Sequence, residues 1–161
     1  MSPALNMEVI SLRDVPIDRL TPAAPKQQPA VLVVDDERVI ADTLSIILGR
    51  NGFTVQTAYD GESALEKARA VTPQLLLSDV MLGPGIDGIQ LAIAMVQACP
   101  GCKVLLFSGH AATADLLAKA REAGHDFALM TKPVHPADLL ARINESFAAS
   151  NGAQKTLLAH A

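Results

Sequence analysis

The run Val31-Leu32-Val33-Val34-Asp35-Asp36 is an unbroken apolar segment that stops on two carboxylates, and the same pattern recurs down the chain. Leu75-Leu76-Leu77-Ser78 leads to Asp79, Val104-Leu105-Leu106-Phe107 leads to Ser108, and Phe127-Ala128-Leu129-Met130 is followed by Lys132-Pro133. A glycine-rich stretch, Leu82-Gly83-Pro84-Gly85-Ile86-Asp87-Gly88, lies just past Asp79. The run at 31–34 shows no polar alternation, as expected of a strand covered by helices on both faces. Between the runs the apolar period changes to that of a helix. Val39, Ile40, Thr43, Leu44, Ile47 and Leu48 recur at helical spacing over residues 38–50, and Asn51-Gly52 stops them.

The remaining segments continue the alternation. Thr54–Ala58 reads as a strand, residues 62–71 as a helix, and Gln74–Ser78 as the third strand. Ile89–Ala98 is a helix that is apolar nearly all round. Lys103–Phe107 is a strand, Ala112–Ala123 a helix closed by Gly124, and Asp126–Met130 a short fifth strand. Pro136 opens a last helix with Leu139, Leu140, Ile143 and Phe147 facing inward, and Asn151-Gly152 is expected to end it. Five strands alternating with five helices predict an α/β fold with a parallel sheet between two helical layers.

In such a sheet, ligands bind at the carboxyl ends of the strands. Asp35, Asp36, Asp79, Ser108 and Lys132 all stand at those ends, so three carboxylates, a hydroxyl and an ammonium share one crevice. Crowded carboxylates raise one another's pKa unless a cation neutralises them. A hard divalent ion with oxygen ligands, most simply Mg²⁺, resolves the conflict. Taken singly, each residue has a plainer reading. An Asp or Ser at a strand end caps the next helix, and a Lys-Pro pair is a solvated loop.

Composition narrows the class. The 161 residues suit one domain, and half of them are hydrophobic with few aromatics and no Trp. Residues 1–29 carry five of the ten prolines and no hydrophobic periodicity, and read as a disordered leader. The globular part is 30–149, with 150–161 a short tail too small for an output domain. The net charge of -4 gives no electrostatic reason for the domain to bind nucleic acid. No apolar stretch is long enough to span a membrane, and no signal peptide is evident, so the cytoplasm is the default. Cys99 and Cys102 form a C-x-x-C whose Pro100-Gly101 follows a helix and precedes a strand. That order is the reverse of a redox motif, and two thiols cannot complete a zinc site, so the pair reads as a turn.

In these motifs, taken in order, residues 30–149 resemble the receiver domain of two-component response regulators, the CheY-like family. The resemblance implies a flavodoxin-like doubly wound sheet in the order 2-1-3-4-5. It also implies that a histidine kinase or phosphotransfer protein donates a phosphoryl group and that a downstream protein reads the result, with the chain a monomer or transient homodimer. Residue by residue, it makes Asp79 the phospho-acceptor. Asp35, Asp36, Asp79 and the backbone carbonyl of Met81 would hold Mg²⁺. Ser108 and Lys132 would bind the phosphoryl group, and a cis bond would precede Pro133. The physics agrees: a carboxylate attacks a dianionic phosphoryl group only when positive charge offsets the repulsion, and no general base is required.

Two departures stand out. The stretch from Asp79 to Asp87-Gly88 is one residue longer than the family's pattern, with Gly83 before Pro84. The position of the family's switch aromatic, three before the Lys, is Leu129, while Phe127 sits two residues earlier and could substitute or be plain core. Met81 and His110 would flank the water that hydrolyses the aspartyl phosphate, controlling its lifetime. Two other readings compete. A pseudo-receiver would share the fold as a constitutive adaptor and never be phosphorylated. A phosphohydrolase of the haloacid dehalogenase type wants a second Asp two residues after the nucleophile, where this chain has Met81.

Overall fold

Strand β1 (Ala30–Val34) lies inside the sheet. It pairs in parallel with β2 (Thr54–Ala58) on one side and β3 (Leu75–Asp79) on the other. The third strand pairs with β4 (Lys103–Ser108), which pairs with β5 (Ala128–Thr131). The sheet order is β2-β1-β3-β4-β5, all parallel, as the alternation and the family resemblance predict. The computed structural model describes residues 27–109, 111 and 113–158, with side chains to residue 149. Most of the proline-rich leader, and His110, lie outside the described residues.

Successive side chains of a strand point to opposite faces, and here both faces are covered. Val31, Val33, Leu75, Leu77, Leu105 and Phe107 meet α1 (Arg38–Arg50) and α5 (Pro136–Leu158) through Ala41, Leu48, Leu139 and Ile143. Leu32, Val34, Leu76 and Leu106 face the other layer: α2 (Gly61–Val71), α3 (Gly88–Ala98) and α4 (Thr113–Glu122). All five residues of β3 are buried, so the central strand reads as continuous apolar sequence up to its polar end. The edge strand β2 instead alternates exposed and half-buried positions before its buried end. Helix α3 is apolar nearly all round because it packs on the sheet and touches both α2 and α4.

Several boundaries differ from the sequence reading, most by a residue or two. Strand β5 begins at Ala128 rather than Asp126 and runs on to Thr131, and α4 ends at Glu122 rather than Ala123. Helix α5 does not stop at Asn151-Gly152 but continues to Leu158, so most of the expected tail is helical. A helix-interior glycine costs about 1 kcal/mol against alanine. That penalty weakens a helix without ending it when good helix formers such as Ala153, Gln154 and Lys155 follow.

The glycines around β3 set how closely the layers approach. A Cβ on Gly88 would lie 1.9 Å from the backbone carbonyl oxygen of Asp79, so α3 can start where it does only without a side chain there. Gly49 in α1 has open space around its Cβ position and an ordinary helical backbone. Gly88→Ala is therefore expected to destabilise the fold by about 2 kcal/mol, as overpacking does. Gly49→Ala should stabilise it by about 0.5 kcal/mol through helix propensity. Urea unfolding midpoints check both, and equal effects would contradict the close-approach argument.

Candidate functional site

Asp35 follows the last residue of β1 and is wholly buried. Its Oδ1 accepts a hydrogen bond from the Glu37 N–H at 2.9 Å, which turns the chain into α1. Glu37 is the N-cap of that helix without a side-chain cap bond, so neither acidic residue caps α1. Asp36 is exposed. Asp79, the last residue of β3, is 6% exposed. The parallel register carries these positions to one end of the sheet, where carboxylate oxygens of Asp35, Asp36 and Asp79 lie within 4.8 Å of one another.

Lys132 completes the cluster from the strand beyond. Its N–H donates to the Ser108 carbonyl at 3.0 Å, extending the β4–β5 ladder by one step. Its bond to Pro133 is cis, as the family resemblance implies. The Lys132 Nζ donates to Asp79 Oδ2 at 2.7 Å and to Asp35 Oδ2 at 3.2 Å. It also lies 5.0 Å from the Phe107 ring centroid, an additional favourable contact for a partly buried cation. The other Asp79 oxygen accepts the Met81 N–H at 3.2 Å. The Met81 side chain is 45% exposed at the rim.

The charges shift as this geometry requires. Burial pushes the Asp35 carboxyl above its ordinary value; the Glu37 N–H and Lys132 oppose the shift, and the Asp79 charge adds to it. Burial alone would lower the Lys132 ammonium, but its hydrogen bond to Asp79 and the charges of Asp79 and Asp35 outweigh that and raise it. One ammonium thus pairs with two of the three clustered carboxylates, Asp79 and Asp35. The donor set is all oxygen, partly open through Asp36, and short of positive charge. It suits a hard divalent cation.

The long loop after β3 is fixed at both ends and in its middle. The Val80 N–H donates to the Phe107 carbonyl, and the Gly88 N–H to the Val80 carbonyl at 2.7 Å. Asp87 and Gln90 form a reciprocal capping box at the start of α3. In the middle, the Ile86 N–H donates to Glu62 Oε1 at 3.3 Å, and the Ile86 side chain fills the space a Cβ would take on Gly61. Gly83 and Gly85 take positive φ values of 75° and 97°, turns open to glycine at little steric cost. The contacts of Glu62 and Gly61 with this loop were not legible in the sequence, because nothing in α2 signals a partner 24 residues away.

Ser108 ends β4, buried at 3% exposure. Its Oγ lies 2.6 Å from the Oγ1 of Thr113, itself 2% exposed at the start of α4. Sequence reasoning missed Thr113; a lone Thr in a stretch of Ala and Leu was the available signal. Leu129 lines a cavity of about 470 Å³ together with Ser108, Thr113, Leu117 and Thr131. Phe127 does not line that cavity. It precedes β5 and stacks on His125, with ring centroids 5.8 Å apart. The register places Ser108 beside Thr131, four residues further along.

The cysteine pair lies at the opposite end of the sheet. The Cys102 N–H closes a turn onto the Cys99 carbonyl at 2.9 Å. Burial, with the neighbouring Cys99, pushes the Cys102 thiol up to about 11. It is therefore protonated at neutral pH, unsuited to nucleophilic or metal-binding work.

Known proteins are similar to this chain in sequence and fold. Residues 31–144 match the response regulator receiver domain, and the chain belongs to that family. It is 37% identical over 113 residues to the alkaline phosphatase synthesis transcriptional regulatory protein PhoP of Bacillus subtilis, covering 70% of this chain and 46% of that one. It is 33% identical over 113 residues to the DNA-binding response regulator MtrA of Mycolicibacterium smegmatis, covering 70% and 48%. The chain thus spans about half the length of these relatives. A CheY-like receiver domain from Methanospirillum hungatei superposes with a TM-score of 0.70 at 30% identity, covering 78% of this chain and 98% of that one. Among the described residues, no helix is long and apolar enough to cross a membrane.

The pairing of Lys132 has a measurable signature. A lysine pKa raised in the folded state contributes stability that is complete below its ordinary value of 10.5 and is lost as pH rises through the higher folded value. The stability advantage of the wild type over Lys132→Met should therefore be constant from pH 8 to about 10 and shrink at higher pH. Urea midpoints across that range check this; an advantage that grows with pH would contradict it.

Proposed function

We propose that the chain accepts a phosphoryl group on Asp79 from the phosphohistidine of a kinase or phosphotransfer protein, and that a downstream protein reads the modified state. The observation that carries this reading is the Lys132 ammonium, 2.7 Å from one oxygen of a nearly buried Asp79 and 3.2 Å from Asp35. An aspartate at this strand end needs positive charge to meet a phosphoryl dianion; Lys132 supplies one such charge, and a bound divalent cation would supply the rest. In the transfer, an Asp79 oxygen forms the new P–O bond, the donor's P–N bond breaks, and its electron pair returns to the imidazole nitrogen. The carboxylate is already ionised, so no proton need be removed first. Positioning and charge then supply most of the catalysis.

Asp35, Asp36 and Asp79, with the carbonyl of Met81, would hold Mg²⁺, which supplies charge neutralisation for the incoming phosphoryl oxygens. Lys132 stays with Asp79 and turns to the transferred group, and Ser108 approaches the same group from β4. The surface formed by α4, β5 and α5 is the route to the downstream partner, since Ser108 and Lys132 lead into it. Met81, apolar and at the rim, would shield the aspartyl phosphate from water and lengthen its life.

Intact-mass analysis after incubation with acetyl phosphate and Mg²⁺ tests the reading. One added phosphoryl group is expected on the wild type, none on Asp79→Asn, and none in EDTA. Equal labelling of wild type and Asp79→Asn would show that another residue is modified. A wild type that never labels would favour the adaptor reading.

A further inference from the structure

Ser108 and Thr113 present a pair of hydroxyls that share one hydrogen bond of 2.6 Å inside the protein. Both residues are almost wholly buried, at 3% and 2% exposure. The Ser108 backbone is held in β4, where its carbonyl accepts the Lys132 N–H, so its hydroxyl moves mainly by side-chain rotation. Thr113 is different. It is β-branched and opens α4, where few side-chain rotamers are open to it. If Ser108 swings toward Asp79, the Thr113 hydroxyl loses this partner. An unsatisfied buried hydroxyl is costly, so the first turn of α4 has reason to move with the change. The cavity of about 470 Å³ lined by Ser108, Thr113, Ala114, Leu117, Leu129 and Thr131 gives that turn room. None of the described residues lining it is aromatic.

We propose that Thr113 is a positioning residue. Its hydroxyl holds Ser108 back from the phosphoryl site, and phosphorylation of Asp79 breaks the Ser108–Thr113 bond and releases the first turn of α4. The bond thereby performs a coupling for which none of the described residues lining the cavity offers an aromatic side chain. The inference rests on Asp79 as phospho-acceptor and adds how that state reaches the surface.

The test is the affinity of the full chain for beryllofluoride with Mg²⁺, the phosphoryl mimic, followed by amide resonances. Thr113→Val keeps the shape and removes the hydroxyl. It should bind about fivefold more tightly than the wild type, the equivalent of one modest buried hydrogen bond no longer given up. Thr113→Ser should restore wild-type affinity. In a Ser108→Ala background, Thr113→Val should change nothing. Unchanged or weaker binding by Thr113→Val, or an effect that persists without Ser108, overturns the latch. Should Thr113→Val fail to fold, the wild type decides. The Thr113 and Ala114 amides should shift on beryllofluoride binding, and unmoved resonances there overturn the proposal. A wild type that binds no beryllofluoride refutes the Asp79 reading itself and the latch with it; binding without these effects refutes the latch alone.

Discussion

The ion pair between Lys132 and Asp79, with Asp35 as its second acceptor, is the constraint around which this end of the molecule is organised. A carboxylate as buried as Asp35 is costly unless something positive answers it. The residues concerned are 97 and 53 positions from Lys132, so no local structure can bring them together. The parallel sheet does so by ending β1 and β3 side by side and placing β5 one strand beyond β4. The fold and the charge cluster are therefore one solution: without the sheet order the lysine does not reach, and without the lysine the carboxylates repel.

A second constraint is closeness. Asp79 is held in place by what is missing from Gly88, where any side chain would strike its carbonyl. The loop that follows is pinned by Glu62 and seated on Gly61. Between Asp79 and α3 the loop turns through two glycines of positive φ, Gly83 and Gly85. The result is a site whose backbone is rigid on the β3 side, while across the crevice Ser108 is tied to a helix start by a bond between two side chains. Rigidity on one side and a breakable bond on the other suit a site that must both bind and signal.

The strands were legible because buried parallel strands are written as unbroken apolar runs, and the polar groups that end them announce the site. Asp35, Asp36, Asp79 and Lys132 come together as their positions imply. The receiver-domain family model matches residues 31–144. What remained illegible depends on side-chain meetings across the fold. Thr113 looks like an ordinary helix residue until Ser108 is seen beside it. Phe127 is on the same strand-like stretch as Leu129, but it stands before β5 begins and turns to His125. The continuation of α5 past Asn151-Gly152 was hidden for another reason: local breakers raise the cost of a helix, and the helix formers around them decide whether it ends.

The most direct measurement of the central claim is to locate the phosphoryl group chemically. Reduction of an acyl phosphate with borohydride converts the modified aspartate to homoserine, which peptide mass spectrometry assigns to a position. After treatment with phosphodonor and Mg²⁺, the account predicts homoserine at position 79 and at neither 35 nor 36. Homoserine at Asp35 or Asp36, with Asp79 unchanged, would contradict it.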